Sequence, residues 1–205
     1  MKYKVILFDA DGVTVDSGVM FSQKLESDYG ISPEKTCSFF KGIFQECMFG
    51  RADLKEELGK VIEDWGWTKS TNEMLKEWFD FENFPNKEMF ELIKQLREQG
   101  VKCYLATNQE KYRGEYMRHE MNFDKLFDGL FISAEVGYKK KDPRFFEEVY
   151  GELNQAGQNL STLLTQKGQV LFIDNEEENI KSAKEFGMQT HLFTNINELK
   201  KVLAE

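Results

Sequence analysis

The stretch YKVILFDADG, residues 3–12, decides the fold of this chain. Residues 3–8 form a short apolar run of β-forming side chains, which is typical of a buried strand. The run ends abruptly at Asp9, and Asp11 follows two residues later. The sequence therefore predicts a buried strand that stops at two closely spaced carboxylates.

Strands and helices alternate along the second half of the chain. Apolar residues spaced three and four apart, with Pro near helix starts and Gly at helix ends, indicate the helices. Such alternation is typical of a parallel sheet covered by helices on both faces and joined by right-handed crossovers. The predicted fold class is therefore α/β with a Rossmann-like parallel sheet. We expect strands over residues 101–106, 129–132, 170–173 and 190–193, and helices over residues 87–99, 110–121, 143–153, 176–186 and 196–204.

The segment between the first two predicted strands has a different pattern. From about residue 20 to 81 the apolar residues recur at helical spacing, and no convincing strand interrupts them. We therefore predict a small all-helical cap domain over residues 17–82. It would be inserted into a Rossmann-like core formed by residues 1–16 and 83–205.

Polar side chains follow four of the predicted strands. In parallel sheets, ligands bind at the carboxyl ends of the strands, so we expect these side chains to converge on one rim. This convergence is the main indication of a single active site. In chain order the residues are Asp9, Asp11, Thr107, Asn108, Ser133, Asp174 and Asn175.

Three of these side chains are acidic. Asp9, Asp11 and Asp174 would repel one another strongly unless a cation joined them. Oxygen ligands favour a hard ion, and Mg²⁺ commonly binds through a few carboxylates together with water and phosphate oxygens. The sequence thus predicts a magnesium site at these three residues, whereas the alternative for the first two is a simple polar turn.

A hydroxyl and a lysine complete the candidate site. Thr107 offers a donor suited to a phosphoryl oxygen, although an N-cap or turn residue would have the same local sequence. Lys140 lies in the run GYKKKDP, residues 137–143. Its ammonium could neutralise a phosphate and keep a neighbouring carboxylate ionised, whereas most lysine runs form a solvated loop. The sequence leaves open which of Lys139, Lys140 and Lys141 points inward.

Composition limits the partners of the protein. The formal net charge of -9 argues against general binding to nucleic acid or to an anionic membrane. The three cysteines are odd in number and form no CxxC pair, which indicates reduced thiols and a cytoplasmic location. No signal peptide or membrane-spanning run is recognisable. We expect no nucleic-acid or membrane partner, and a monomer or small homo-oligomer.

Four segments together resemble the motifs of the haloacid dehalogenase-like hydrolase superfamily. VILFDADGVTVDS, residues 5–17, is similar to its first motif, and YLATN, residues 104–108, to its second. GYKKKDPRFF, residues 137–146, is similar to the third, and VLFIDNEEENIKSAKEFGM, residues 170–188, to the fourth. Their order and spacing match over nearly the whole chain. The position of the insert resembles the subgroup with a helical cap between the first two motifs.

The resemblance implies a role for each matching residue. Asp9 would be the nucleophile and a metal ligand, and Asp11 would be the general acid/base and a ligand through its backbone carbonyl. Asp174 would be the carboxylate ligand of Mg²⁺. Thr107 and Asn108 would bind the transferring phosphoryl group, and Lys140 would neutralise it. The implied activity is magnesium-dependent hydrolysis of a small phosphorylated metabolite through an aspartyl-phosphate intermediate.

Two positions depart from the family pattern, and one residue of the insert extends it. Lys141 replaces the usual proline, and Asn175 replaces a common second aspartate. Glu178 either compensates for that lost charge or is an exposed helix residue. Arg51 is a candidate substrate-binding residue, because related enzymes often place such contacts between cap helices. The alternative is an exposed arginine.

The histidines and the phenylalanines of the insert are weaker candidates. His119 is expected at the surface of a polar helix, and His191 is expected to be structural because it lies within the last strand. Aromatic residues at helical spacing more often form a core than a ligand site. Four of them could nevertheless line the roof of a pocket: Phe39, Phe40, Phe44 and Phe49.

Three other activities share parts of this pattern. A phosphomutase uses the same four motifs and the same kind of cap, so the sequence separates it poorly from a phosphatase. A haloacid dehalogenase shares the nucleophilic aspartate but needs neither a metal nor Asp11. A phospho-accepting signalling domain is shorter and has no helical insert after its first strand. A binding module without catalysis is disfavoured because the motif residues needed for chemistry are present.

Overall fold

Five parallel strands form one sheet in the computed structural model, which describes residues 2–16, 18–156 and 167–204. The strands are β1 (Val5–Phe8), β2 (Lys102–Thr107), β3 (Gly129–Ile132), β4 (Val170–Asp174) and β5 (Gln189–Leu192). Their order is β3-β2-β1-β4-β5, with β1 at the centre. Within the predicted core and insert, Met1, Ser17, Glu205 and residues 157–166 lie outside the described residues.

The register aligns the carboxyl ends of the central strands. Val5 of β1 pairs with Lys102 of β2 on one side and with Val170 of β4 on the other. Each of β1 and β4 is buried along its whole length, as expected for strands covered on both faces. The predicted Rossmann-like parallel sheet is therefore confirmed.

Six helices occupy the segment between β1 and the core helices. They are α1 (Phe21–Tyr29), α2 (Pro33–Lys41), α3 (Phe44–Cys47), α4 (Leu54–Gly59), α5 (Ile62–Trp65) and α6 (Thr71–Phe81). The sequence explains several helix starts: the Asp53 carboxylate accepts from two backbone N–H groups of α4, and Ser70 forms a capping box with Glu73 at α6. These helices bury a hydrophobic cluster of their own, which includes Trp65, Trp67 and Phe79. We call residues 18–84 the helical insert; its status as a separate cap domain stays a prediction.

Seven further helices in the described residues belong to the core that contains the sheet. They are α7 (Lys87–Glu98), α8 (Lys111–His119), α9 (Phe123–Leu126), α10 (Ser133–Val136), α11 (Pro143–Ala156), α12 (Glu177–Phe186) and α13 (Ile196–Ala204). A short 3₁₀ turn, Lys167–Gln169, precedes β4. None of the described helices combines the length and the apolar character needed to cross a membrane.

Alternate residues of β1 pack into different cores on the two faces of the sheet. Ile6 and Phe8 pack with residues of α7, α8, α9 and α13. Val5 and Leu7 pack with residues of α11 and α12. Successive side chains of a strand point to opposite faces, so a continuous apolar run supplies both cores. Helices therefore cover both faces of the sheet beneath its carboxyl edge.

The two linkers that join the helical insert to the core run side by side. Val15 forms an antiparallel bridge with Pro85. The backbone N–H of Asp16 donates to the Phe84 carbonyl at 2.7 Å, and the N–H of Asn86 donates to the Thr14 carbonyl at 3.0 Å. The insert therefore leaves and rejoins the core at one place, directly after the Asp9–Asp11 turn.

Candidate active site

A lysine and two aspartates are buried together at the carboxyl ends of β1 and β4. The Lys140 ammonium hydrogen-bonds to Asp9 Oδ1 and lies 2.8 Å from Asp174 Oδ2. Lys140 is 2% exposed, Asp9 is 5% exposed and Asp174 is fully buried. Charges this deeply buried are costly unless they are paired, so the three side chains depend on one another.

The backbone explains why these three residues meet. β1 and β4 are neighbours, and the Asp9 N–H donates to the Ile173 carbonyl at 2.9 Å, which sets the two strand ends side by side. Lys140 lies on the loop between α10 and α11. Its backbone N–H donates to Asn108 Oδ1 at 2.9 Å, so the residue after β2 anchors the lysine loop.

The electrostatics of the cluster follow from its burial. Burial raises the pKa of Asp9 to about 7, with Lys140 opposing the rise and Asp174 adding to it. Burial alone would lower the pKa of Lys140, but the two carboxylates outweigh it and leave the pKa raised, so the ammonium stays charged. Two carboxylates share one ammonium, so Lys140 offsets only part of the rise that burial and Asp174 impose on the pKa of Asp9.

Asp174 is held by an amide that the sequence analysis did not single out. Asn179 Nδ2 donates to both carboxylate oxygens of Asp174, at 3.2 and 3.1 Å, and the Glu176 N–H donates to Oδ1 at 2.7 Å. Asn179 is buried in the first turns of α12. Its position five residues after Asp174 in the fourth motif was the available signal. Asn175 and Glu178, in contrast, are exposed.

The Asp11 side chain lies apart from the buried cluster. It is exposed, and its Oδ2 accepts from Gln109 Nε2 at 2.6 Å. The Gln109 N–H donates in turn to Ser133 Oγ at 3.1 Å, and the Ser133 hydroxyl donates to the Met48 carbonyl of the insert at 2.7 Å. Ser133 thus lies on the expected rim but connects Gln109 to the insert. The sequence analysis did not identify Gln109.

The residues present suit a hard divalent cation. The donors at the cluster are carboxylate oxygens, and they carry more negative charge than Lys140 neutralises. Across residues 2–16, 18–156 and 167–204, no three His, Cys, Asp or Glu side chains are already grouped as a metal site. The predicted third carboxylate, Asp11, accepts a hydrogen bond from Gln109 and is not grouped with Asp9 and Asp174 as a metal site.

The three lysines of the 137–143 run have different surroundings. Lys140 is the one that points inward. Lys139 is half-buried and donates to Gln45 Oε1 of the insert at 2.6 Å, while Lys141 is exposed. Thr107 is the last residue of β2, so it lies on the rim where it was expected, and it is 1% exposed.

Arg51 does not join the buried cluster in this structure. Its side chain is 58% exposed, its guanidinium lies 4.6 Å from the centre of the Phe49 ring, and it is 3.5 Å from Glu46. It borders a cleft of about 400 Å³ between the insert and the start of α8, which Glu110 also lines. The contacts of Arg51 with Glu46 and Phe49 both lie within the insert, and its role in substrate binding stays a proposal.

The remaining aromatic and histidine candidates divide as follows. The hydrophobic cluster of the insert contains Phe39, and Phe40 and Phe44 pack against it. The centre of the Phe49 ring, in contrast, lies 4.8 Å from the Lys139 ammonium of the core. His119 is exposed beside Glu115 on α8, as expected. His191 is partly buried within β5, where it pairs with Ile173 of β4.

The fold and the site together define a class of protein. The parallel sheet makes this an α/β protein with a Rossmann-like fold, and its buried acid–lysine–acid cluster lies at the carboxyl ends of the central strands, where such folds bind ligands. The sequence model of the haloacid dehalogenase-like hydrolases matches residues 3–187, and the chain belongs to that family.

Solved structures of the family have the same fold. A predicted hydrolase of the family from Porphyromonas gingivalis superposes with a TM-score of 0.78 at 20% identity, over 100% of both chains. An enzyme of the family from Bacteroides thetaiotaomicron, solved with magnesium and inorganic phosphate, gives a TM-score of 0.73 at 20% identity. That match covers 96% of this chain and 98% of the other.

The curated relatives are matched over part of their length. A sesquiterpene phosphatase from Aspergillus oryzae is 32% identical over 105 residues, which are 51% of this chain and 48% of the phosphatase. The next two curated relatives are matched over 20% and 27% of their length. The chain thus spans about half or less of the curated proteins that it matches.

Proposed function

We propose that the protein is a magnesium-dependent phosphatase that hydrolyses a small phosphate monoester through an aspartyl-phosphate at Asp9. The observation that carries this proposal is the buried cluster of Asp9, Lys140 and Asp174. A carboxylate held against a charged lysine at the end of a central strand is suited to attack phosphorus while the lysine offsets the charge of the phosphoryl oxygens.

The reaction proceeds in two balanced steps. In the first, an oxygen of Asp9 bonds to phosphorus, the bond from phosphorus to the ester oxygen breaks, and Asp11 gives its proton to the departing alcohol. In the second, Asp11 takes a proton from water as the water oxygen attacks phosphorus, which releases inorganic phosphate and the Asp9 carboxylate. Acid/base assistance of this kind is typically worth about 10²–10⁴ in rate.

The remaining groups hold the phosphate and the metal. Asp9, Asp174 and the backbone carbonyl of Asp11 would hold Mg²⁺, which supplies charge neutralisation for the phosphoryl oxygens. Thr107 and Asn108 contact the transferring group from the end of β2. The helical insert acts as the cap over this site, and Arg51 contacts the part of the substrate that reaches the insert.

Two comparisons support the proposal. The Aspergillus relative is named as a phosphatase. The Bacteroides enzyme, which has the same fold, was solved with both magnesium and inorganic phosphate. Magnesium and phosphate are the cofactor and the product that the proposed reaction requires.

The test is hydrolysis of a generic aryl phosphate. We expect turnover with Mg²⁺, loss of turnover in excess chelator, and recovery when Mg²⁺ is added back. Asp9→Asn keeps the shape of the side chain but removes the nucleophile, so its turnover should fall to background. Asp64→Asn, at an exposed position on α5, is the matched control and should keep the wild-type rate. Full activity in chelator, or in Asp9→Asn, would reject the proposal.

A further inference from the structure

A groove of about 210 Å³ opens beside the Asp11 carboxylate, between the two linkers of the insert. Its walls include Val19, Met20 and Phe84, whose exposures are 55%, 64% and 45%. Only two other large hydrophobic side chains are exposed in the described part of the chain, Ile43 at 38% and Leu192 at 37%. Three of five such residues thus border one groove, and clustering of this kind marks a binding surface.

Hydrogen bonds between the two linkers hold the walls of the groove in place. The linkers are joined by the Asp16–Phe84 backbone bond, and Asn86 Nδ2 donates to Asp16 Oδ1 at 2.8 Å. Gly18 lies directly against the Phe84 ring, because a Cβ at Gly18 would meet Phe84 Cε2 at 2.9 Å. The apolar surface is therefore held in place next to the proposed acid.

The charges around the groove are all negative. Asp11, Asp16 and Glu82 line it, and no Lys, Arg or His is among its lining residues in the described chain. Glu82 is turned into the insert, where it accepts from the Phe21 N–H at 3.0 Å and from Trp78 Nε1 at 2.8 Å. A second phosphate or a carboxylate in this groove would be repelled.

We propose that this groove binds the organic part of the substrate, and that the substrate is the phosphate monoester of an uncharged, apolar alcohol. The inference rests on the proposed function. Asp11 delivers its proton to the ester oxygen, so the carbon attached to that oxygen lies beside Asp11. The surface that continues from Asp11 is apolar and bordered by acids, which favours an alkyl, prenyl or aryl group over a sugar or a nucleotide.

The test is a series of n-alkyl phosphates from methyl to octyl, assayed with Mg²⁺. Each methylene that enters the groove should raise kcat/KM by about two- to fourfold, until the groove is full. Glycerol 1-phosphate and a sugar phosphate carry hydroxyls in place of apolar carbons. Their kcat/KM should therefore be at least about tenfold lower than that of butyl or hexyl phosphate.

Variants assign the effect to this groove. Met20→Ser and Phe84→Ser should each lower the ratio of the octyl to the methyl rate constants by about tenfold or more. Ile43→Ser removes an exposed hydrophobic side chain of the insert that does not line the groove, and should leave that ratio unchanged.

The outcomes separate this inference from the proposed function. Hydrolysis of aryl phosphate with equal rates along the alkyl series, or with a preference for sugar phosphates, would overturn the apolar substrate class and leave the phosphatase intact. A rise along the series that survives in Met20→Ser and Phe84→Ser would overturn the groove as its cause. No Mg²⁺-dependent hydrolysis of any ester would reject the phosphatase and, with it, the inference.

Discussion

Glu110 is a carboxyl group buried where the insert meets α8. It caps α8 by accepting from the backbone N–H groups of Tyr112 and Arg113, and it is 2% exposed. Burial raises its pKa from the ordinary value of 4.5 to about 7, although the two backbone hydrogen bonds oppose the rise. The folded protein therefore holds a proton on Glu110 at pH values where the unfolded chain has lost it.

This proton makes stability depend on pH in a defined direction. Between pH 4.5 and about 7 the folded state binds more protons than the unfolded state, so the free energy of unfolding falls as pH rises. The slope is at most about 1.4 kcal/mol per pH unit, and it levels off above pH 7. In Glu110→Gln this part of the slope should be absent, as measured by urea unfolding at pH 5, 6, 7 and 8. Glu115→Gln, at a more exposed position on the same helix, controls for loss of a carboxylate. Parallel profiles for wild type and Glu110→Gln would contradict the prediction.

At the scale of single residues, the sequence predicted the acidic side chains of the buried cluster but not the amide side chains that hydrogen-bond to carboxylates of the site. Asp9 and Asp174 follow strands, so strand pattern alone indicates where their carboxylates lie. Which lysine points inward required the structure, because three adjacent lysines have the same local pattern. Gln109 and Asn179 were missed for a related reason. Their amides act through side-chain hydrogen bonds to the site carboxylates, and such bonds leave no periodic signal in a sequence.

The close approach of the insert to the core depends on one glycine. Gly50 has a left-handed backbone with φ +70°, and a Cβ at this position would lie 2.1 Å from the Ala134 carbonyl oxygen at the start of α10. Gly30, which ends α1, has a similar φ of +65° but has nothing within 4 Å of its added Cβ. The two glycines therefore separate backbone strain from steric exclusion.

Substitution of these glycines by alanine gives a direct comparison. Gly30→Ala should lose about 1 kcal/mol of unfolding free energy from the left-handed backbone alone. Gly50→Ala should lose that amount and roughly 1–3 kcal/mol more, because backbone must move apart from backbone. Chemical denaturation of the two variants measures the difference. Equal losses would mean that the approach of Gly50 to Ala134 adds nothing to stability.

In the core, the strands and the helices of more than two turns were predicted close to their observed bounds, whereas the one-turn helices were not. The helix predicted over residues 87–99 is observed as Lys87–Glu98, and the strand predicted over residues 190–193 is observed as Gln189–Leu192. The helices α9 and α10 have four residues each and were not predicted, since one turn is too short to show helical periodicity. Their bounds depend on packing against neighbours, which a local pattern does not contain.

Arg113, on α8 of the core, hydrogen-bonds to the backbone of the insert. From α8 it donates to the Phe79 carbonyl at 2.9 Å and to the Glu82 carbonyl at 3.0 Å, at the end of α6 and the start of the second linker. The guanidinium is buried and also lies over the Phe79 and Tyr116 rings. A single side chain thus satisfies backbone groups that belong to the other part of the fold.

Removal of this guanidinium should destabilise the protein strongly. Arg113→Met keeps much of the aliphatic stem but leaves the two carbonyls without their donor, so we expect a loss of about 2–4 kcal/mol. Arg118→Met, on the same helix, removes ion pairs to Glu115 and Glu135 near the surface and should cost less than about 1 kcal/mol. Urea unfolding of both variants measures the contrast. Similar losses would show that the tie to the insert is no stronger than a surface ion pair.

The architecture of the whole molecule was predicted because strand–helix alternation restricts the possible topologies. The contacts that set the insert against the core were not predicted. Lys139–Gln45 and Ser133–Met48 join residues far apart in the sequence through one hydrogen bond each. Nothing in the local sequence of either partner indicates the other, so these contacts emerge only in three dimensions.

The central position of β1 has a consequence for the order in which the chain folds. Both of its partners come later in the sequence: β2 follows the entire insert, and β4 begins at Val170. Closing such long loops costs conformational entropy before the strand pairs offset it, whereas helices form from neighbours in sequence. The insert helices can therefore form early, while β1 has no partner and its apolar side chains remain accessible to chaperones or to other chains. We therefore expect the pairing of β1 with β4, which also brings Asp9 and Asp174 together, to be a late and slow step of folding.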